Sequence, residues 1–224
     1  MTHRLVLDED YESLSDIMIY LRDGFTRIQE RSDMNRSQDP WPSDDQVEQL
    51  AWRASGQFVY AATVLKFVGS DFSDPAEHLD IILHPSPMQA TAFSELDRLY
   101  TQILSVYPDP GLMKSVLGVI AVFESKIRSE IPSTYSSFVA DILGTEEGKV
   151  CAVLRSLQSL TIVEESNAVC STIQRFKRVD FAHKSFADFL MDEIRSKQYL
   201  VDLDVFQSQV LCGIFDLVVE FIRR

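Results

Sequence analysis

The sequence predicts a mainly α-helical protein with a small β-hairpin late in the chain. Apolar residues recur at intervals of three and four through most of the 224 residues, the spacing of one helix face. Prolines and cap-forming residues punctuate that pattern where helices would start and stop. Apart from a short piece near the N-terminus, only SLTIVEES and FKRVDFAH, both past residue 158, alternate as half-buried strands do.

Taken in order, RLVLD (Arg4 to Asp8) alternates as a short strand. Ser13 and Asp16 have the form of a capping box, so a helix is expected from near Ser13, with Ile17, Tyr20, Leu21, Phe25 and Ile28 at helical spacing. NRSQDPWPSDD, Asn35 to Asp45, reads as a loop, and Val47, Leu50, Ala51 and Ala54 mark the next helix. Gly56 allows a bend. QFVYAATVLKFV is apolar on nearly every side, as in a helix covered by several neighbours. Pro75 starts a short helix through Leu83, HPSP ends it, and FSELDRLYTQIL (Phe93 to Leu104) is another amphipathic helix. The turn YPDPG, Tyr107 to Gly111, separates this helical module from a second one.

The second module opens with helices at Leu112 to Phe123, Tyr135 to Leu143 and Glu147 to Leu157, the last with Val150, Val153, Leu154 and Leu157 on its inner face. Two strands follow, separated by the polar loop Asn167 to Gln174. Three helices and then a hairpin outline a winged-helix domain, with that loop as the wing. Helices at Ser185 to Arg195 and Asp204 to Arg224 complete the chain, the last with an apolar face still needing cover.

Composition narrows the function. With 21 Lys and Arg against 34 Asp and Glu, the formal net charge is −13. Such a chain repels nucleic-acid backbones and anionic membranes unless a local basic patch intervenes. Cys151, Cys170 and Cys212 are widely spaced and form no metal-binding pair, which suggests free thiols in the reducing cytoplasm. The apolar runs from Leu112 and from Val210 carry charges and fall short of the roughly 20 residues that cross a bilayer. MTHRLVLDEDYE has no apolar signal core, so no membrane partner is expected.

The candidate site lies in FAHKSFADFLMDEIRS. Ser185 and Asp188 repeat the capping-box form, and Phe186, Phe189, Leu190 and Ile194 follow on one helical face. His183 therefore precedes a helix N-terminus, where unpaired N–H groups and the helix dipole favour an anion such as phosphate. The plainer reading has His183 as a half-buried link between strand and helix, its nitrogens satisfied by nearby backbone. Both stand on the residues alone. Asp44 and Asp45 read as first-turn acids, Trp41 and Trp52 as packing residues, and Tyr60 and Phe67 as core.

The series DIMIYLRDGFTRI, WPSDDQVEQLAWRASGQFVYAATVLKFV, FSELDRLYTQIL and FAHKSFADFLMDEIRS resembles the downstream half of fungal-type NACHT proteins, signalling NTPases of the STAND class. The resemblance implies a last strand of a nucleotide-binding domain within residues 1–12, a helical domain over 13–108 and a winged-helix domain over 109–195. The start of a C-terminal helical region follows over 196–224. It implies that His183, with Ser185 beside it, occupies the position whose histidine contacts the β-phosphate of ADP in the resting state. An intact member would bind ADP or ATP (or GTP) with Mg. Protein partners would be an upstream nucleotide-binding domain, a second copy or a related NACHT protein.

Departures from the class are equally visible. A Walker A loop needs G-x-x-x-x-G-K-[ST], whose backbone N–H groups wrap phosphate while Lys and a hydroxyl hold charge and metal. GTEEGKV, Gly144 to Val150, has its glycines one residue too close and Val150 in place of the hydroxyl, and reads as a turn. The class's Gly-x-Pro turn reads GQF here, at Gly56 to Phe58. No G-x-S-x-G elbow presents a serine nucleophile either. The expectation is a non-catalytic regulatory fragment that takes no cofactor by itself, with a stand-alone helical adaptor as the alternative. A DNA-binding winged helix is a weaker alternative, since Glu147 to Leu157 offers only Lys149 and Arg155, and Arg175, Lys177, Arg178 and Lys184 make a small patch.

Overall fold

The computed structural model describes residues 9–32, 41–70, 74–85, 94–127, 134–165 and 177–223. The expected strand at Arg4 to Asp8, most of the Asn35 to Asp45 loop, the wing at Asn167 to Gln174, Cys170 and Arg175 lie outside the described residues. The protein is mainly helical, with a small three-stranded antiparallel sheet. Two compact units divide between Leu99 and Tyr100, so the turn at Tyr107 to Gly111 falls inside the second.

The first unit holds α1 (Glu9–Arg31), α2 (Asp44–Ala54), α3 (Phe58–Val68), α4 (Pro75–Leu83) and the opening of α5 (Glu95–Ser105). α1 begins four residues before the expected Ser13. Ile17, Leu21, Phe25 and Ile28 are buried, whereas Tyr20 is 40% exposed, and α1 packs on α2 and α3. α2 starts at a full capping box: Ser43 accepts from Gln46 N, and the Gln46 side chain accepts from Ser43 N at 2.9 Å. Trp41 meets Phe25 edge-on at 5.7 Å, but Trp52, expected to pack within the helical module, is 61% exposed. Its position on α2 falls outside the buried stripe Val47, Leu50, Ala51 and Ala54.

Polar side chains finish the first unit. Arg53 donates to the carbonyls of Ile82 and Leu83 at 2.8 and 3.0 Å, satisfying the end of α4. His78 stacks on Phe67 at 4.0 Å and donates from Nδ1 to the Phe67 carbonyl. Tyr60 and Phe67 are buried as expected.

The second unit continues α5 from Tyr100 and adds α6 (Pro110–Val122), which runs into a π turn at Phe123–Ile127. Asp109 caps α6 by accepting from Leu112 N, with Pro110 in the first turn, where its missing N–H costs nothing. Next come β1 (Thr134–Tyr135), α7 (Ser136–Leu143), α8 (Glu147–Ser156), β2 (Thr161–Glu165) and β3 (Lys177–Phe181). The sheet order is β1-β3-β2, all antiparallel, with Val179 opposite both Thr134 and Val163. β1 is additional to the expected hairpin; two residues carry no readable alternation. GTEEGKV forms the expected turn only in part. Gly144, at φ +59°, ends α7, while Glu147 to Val150 already belong to α8. Val150, Val153, Leu154 and Leu157 are all buried.

After the sheet come α9 (Lys184–Met191), α10 (Glu193–Ser196), a 3₁₀ turn at Lys197–Tyr199 and α11 (Leu203–Arg223). The single helix expected over Ser185 to Arg195 is broken, because Asp192 accepts from Ile194 N and Arg195 N and caps a fresh turn. Ile194 is thereby carried off the buried face and is 65% exposed.

Burial pushes the Tyr60 hydroxyl from its ordinary 10.0 up to about 12, against the opposing pull of the nearby Arg53 charge. The folded state thus keeps this proton across a range where the unfolded chain has lost it. Stability is therefore expected to fall as pH rises from about 10 toward 12, and Tyr60→Phe should flatten the slope in urea unfolding over that range. Tyr107 and Tyr199, whose hydroxyls burial also raises, leave a residual slope.

Candidate functional site

The site is built where β3 hands over to α9. Ala182 N donates to the Leu160 carbonyl at 2.9 Å, extending the hairpin by one bond. His183 then stays extended, at φ −153° and ψ 143°, which frees its side chain to turn back over the first turn of α9. The imidazole Nδ1 accepts from Ser185 N at 3.1 Å, so His183 itself is the N-cap. This corrects the expected capping box. Ser185 lies within the first turn, its N–H already taken, and Asp188 is exposed one turn on.

The proton order along the cluster follows from that one bond. A backbone N–H can only donate, so Nδ1 is an acceptor and the neutral ring carries its proton on Nε2. Ser185 Oγ lies 2.7 Å from the same Nδ1 and must donate to it. Tyr100 OH, 2.7 Å from Ser185 Oγ, therefore donates to the serine. The relay runs Tyr100 to Ser185 to His183 and leaves an Nε2–H on an exposed histidine.

Aromatic packing holds the buried end. Tyr100 is 1% exposed, and its ring meets Phe186 at 5.1 Å and Phe189 at 5.3 Å. Phe181, at the end of β3, meets Phe186 edge-on at 5.4 Å. Tyr100 had read only as one apolar position of an amphipathic helix. It stands 85 residues before Ser185, and no local signal links the two.

Another side of α9 lines a cleft of about 320 Å³ with Phe181, Lys184, Asp188 and Met191, facing Ala121 and Glu124. Glu124 Oε1 accepts from Phe181 N at 2.8 Å and so ties the π turn to the sheet.

His183 and Ser185 are thus brought together. Gly56 and Phe58 lie in the first unit, in the turn between α2 and α3. Gly56 has φ +76°, a left-handed value glycine adopts without strain, and it follows Ser55 at φ +47°. Phe58 is 46% exposed and meets Tyr20 edge-on at 5.8 Å.

Among the described residues the second unit offers an anion one imidazole donor near the positive end of α9. That fits a single contact to a phosphate oxygen. It does not fit a whole nucleotide with its metal, for which successive backbone N–H donors and a hydroxyl would be required. No group of three potential metal ligands occurs among the described residues. Lys149 and Arg155 are exposed on α8, whereas Arg178 pairs with Asp180 at 2.7 Å. Comparison of the chain with family models, curated proteins and solved structures returns no match.

His183→Ala removes the cap and is expected to lower stability by about 1 kcal/mol in urea unfolding. His183→Asn, which keeps a short acceptor, should recover most of that loss.

Proposed function

We propose that this chain is the non-catalytic regulatory half of a NACHT/STAND-type signalling NTPase, acting in the cytoplasm to couple nucleotide state to conformational change. The observation that carries the reading is the order of the second unit: α6, β1, α7, α8, β2, β3, then His183 capping α9. Helix, strand, two helices and two strands is the sequence of a winged-helix domain. The histidine following its last strand stands where the resemblance places the resting-state phosphate contact.

On this reading His183 donates from Nε2 to a phosphate oxygen held on a nucleotide-binding domain. The Ser185 N–H, donating to Nδ1, sets the tautomer that makes the donation possible, and the Ser185 and Tyr100 hydroxyls line up behind it. Bound ADP would supply the negative charge that this donor recognises. This chain's part is to hold one proton in place at one atom; phosphate wrapping and metal binding belong to a P-loop that its sequence lacks.

The reading is tested by the 5′ end of the native transcript. In-frame coding sequence upstream of Met1 should contain a strand and a G-x-x-x-x-G-K-[ST] loop. In the protein so defined, His183→Ala should speed ADP release by about tenfold or more, as loss of a hydrogen bond to a charged group implies. Translation that starts at Met1 would overturn the switch reading. A helical interaction module would then be favoured, and the exposed side of α11 supports that second reading.

A further inference from the structure

α11 has two unlike sides. Its inner side packs on α6 and α7. Phe206 covers Gly118, Val210 is fully buried, and Gly213 lies so close to α7 that a Cβ there would sit 2.7 Å from the Ile142 carbonyl oxygen. These contacts fix the helix in the second unit.

Its outer side is apolar and open. Leu211, Phe215, Val218 and Ile222 are 58, 67, 49 and 75% exposed, and Phe221 beside them is 82% exposed. The four follow one another at intervals of four, three and four residues, the spacing of a seam that meets another helix. The flanking positions are Cys212, Ile214, Val219 and Phe221, none of them charged; Asp216 and Arg223 lie away from the seam. A seam without flanking charges carries no like-charge penalty for pairing with its own copy.

Area and chemistry agree on that occupant. A phenylalanine buries on the order of 200 Å², so two such faces together hold roughly 1,000 Å² of apolar surface, the size at which specific association begins. By length and composition α11 could also cross a membrane, with a mean hydropathy of 1.6 over its most apolar window. That exceeds what the run from Val210 had suggested. Lipid on every side would, however, require Phe206, Val210 and Gly213 to leave α6 and α7, and the net charge of −13 opposes docking on anionic lipid.

We infer that two copies of this chain associate through the Leu211, Phe215, Val218 and Ile222 face of α11, each seam covering the other. This surface is separate from the His183 relay and does not depend on a nucleotide.

The test is sedimentation velocity of the full chain, under reducing conditions, from about 1 to 100 µM, the span of weak to moderate self-association. The native chain should pass from monomer to dimer. Phe215→Glu and Val218→Lys alter exposed side chains only, so each should keep its circular dichroism and weaken dimerisation at least about tenfold. Trp52→Glu, on an exposed residue of the first unit, should leave it unchanged. A native chain that stays monomeric throughout overturns the inference, as does a dimer indifferent to both seam variants. Flotation of a monomeric native chain with phosphatidylcholine vesicles, abolished by Phe215→Glu, would assign the face to lipid instead.

Discussion

A backbone amide can only donate, and the Ser185 N–H donates to Nδ1 of His183 across 3.1 Å. From that constraint the rest of the site is ordered. The ring nitrogen must be unprotonated, the serine hydroxyl must give its proton toward it, and the tyrosine hydroxyl must give its own to the serine. One bond near the surface thus sets the direction of a chain that ends in the core. Tyr100 can serve as its anchor because Phe186 and Phe189 close around the ring, at roughly 1.5–3 kcal/mol of burial for each large side chain.

The same geometry joins elements remote in sequence. Tyr100 comes from α5, Ser185 from α9, and His183 from the segment leaving β3, so the relay is assembled only when helix, sheet and following helix have docked. Glu124 adds a second tie, accepting from Phe181 N just before the handover. A histidine placed this way has little freedom. Its cap bond, its tautomer and the start of α9 are one arrangement, so the ring is held in one orientation.

Much of the helical architecture is legible in the sequence because it rests on local rules. Pro75 opens α4 after the Asp74 cap, Gly144 ends α7, and the buried set on α8 is the one its periodicity marks. What escapes is settled by competition or distance. Asp192 looks like one more polar residue on a helix, yet its carboxylate outbids continuation by capping a new turn. Ser185 has the form of a cap, but His183 two residues earlier caps the helix by accepting from Ser185 N, which puts Ser185 inside the first turn. β1 is too short to show a period and exists through its pairing with β3. Trp52 is large and apolar, but its place on α2 puts it outside the buried stripe. The site is half legible: His183 stands out in the sequence, while Tyr100, the buried end of the relay, does not.

The protonation of His183 can be read directly by long-range proton–nitrogen NMR of the imidazole in its neutral form. The relay predicts a protonated Nε2, an unprotonated Nδ1 and a Ser185 amide shifted by its bond to the ring. A neutral ring protonated on Nδ1 would contradict it, since that nitrogen could then accept neither the Ser185 N–H nor the hydroxyl proton that Tyr100 helps to direct.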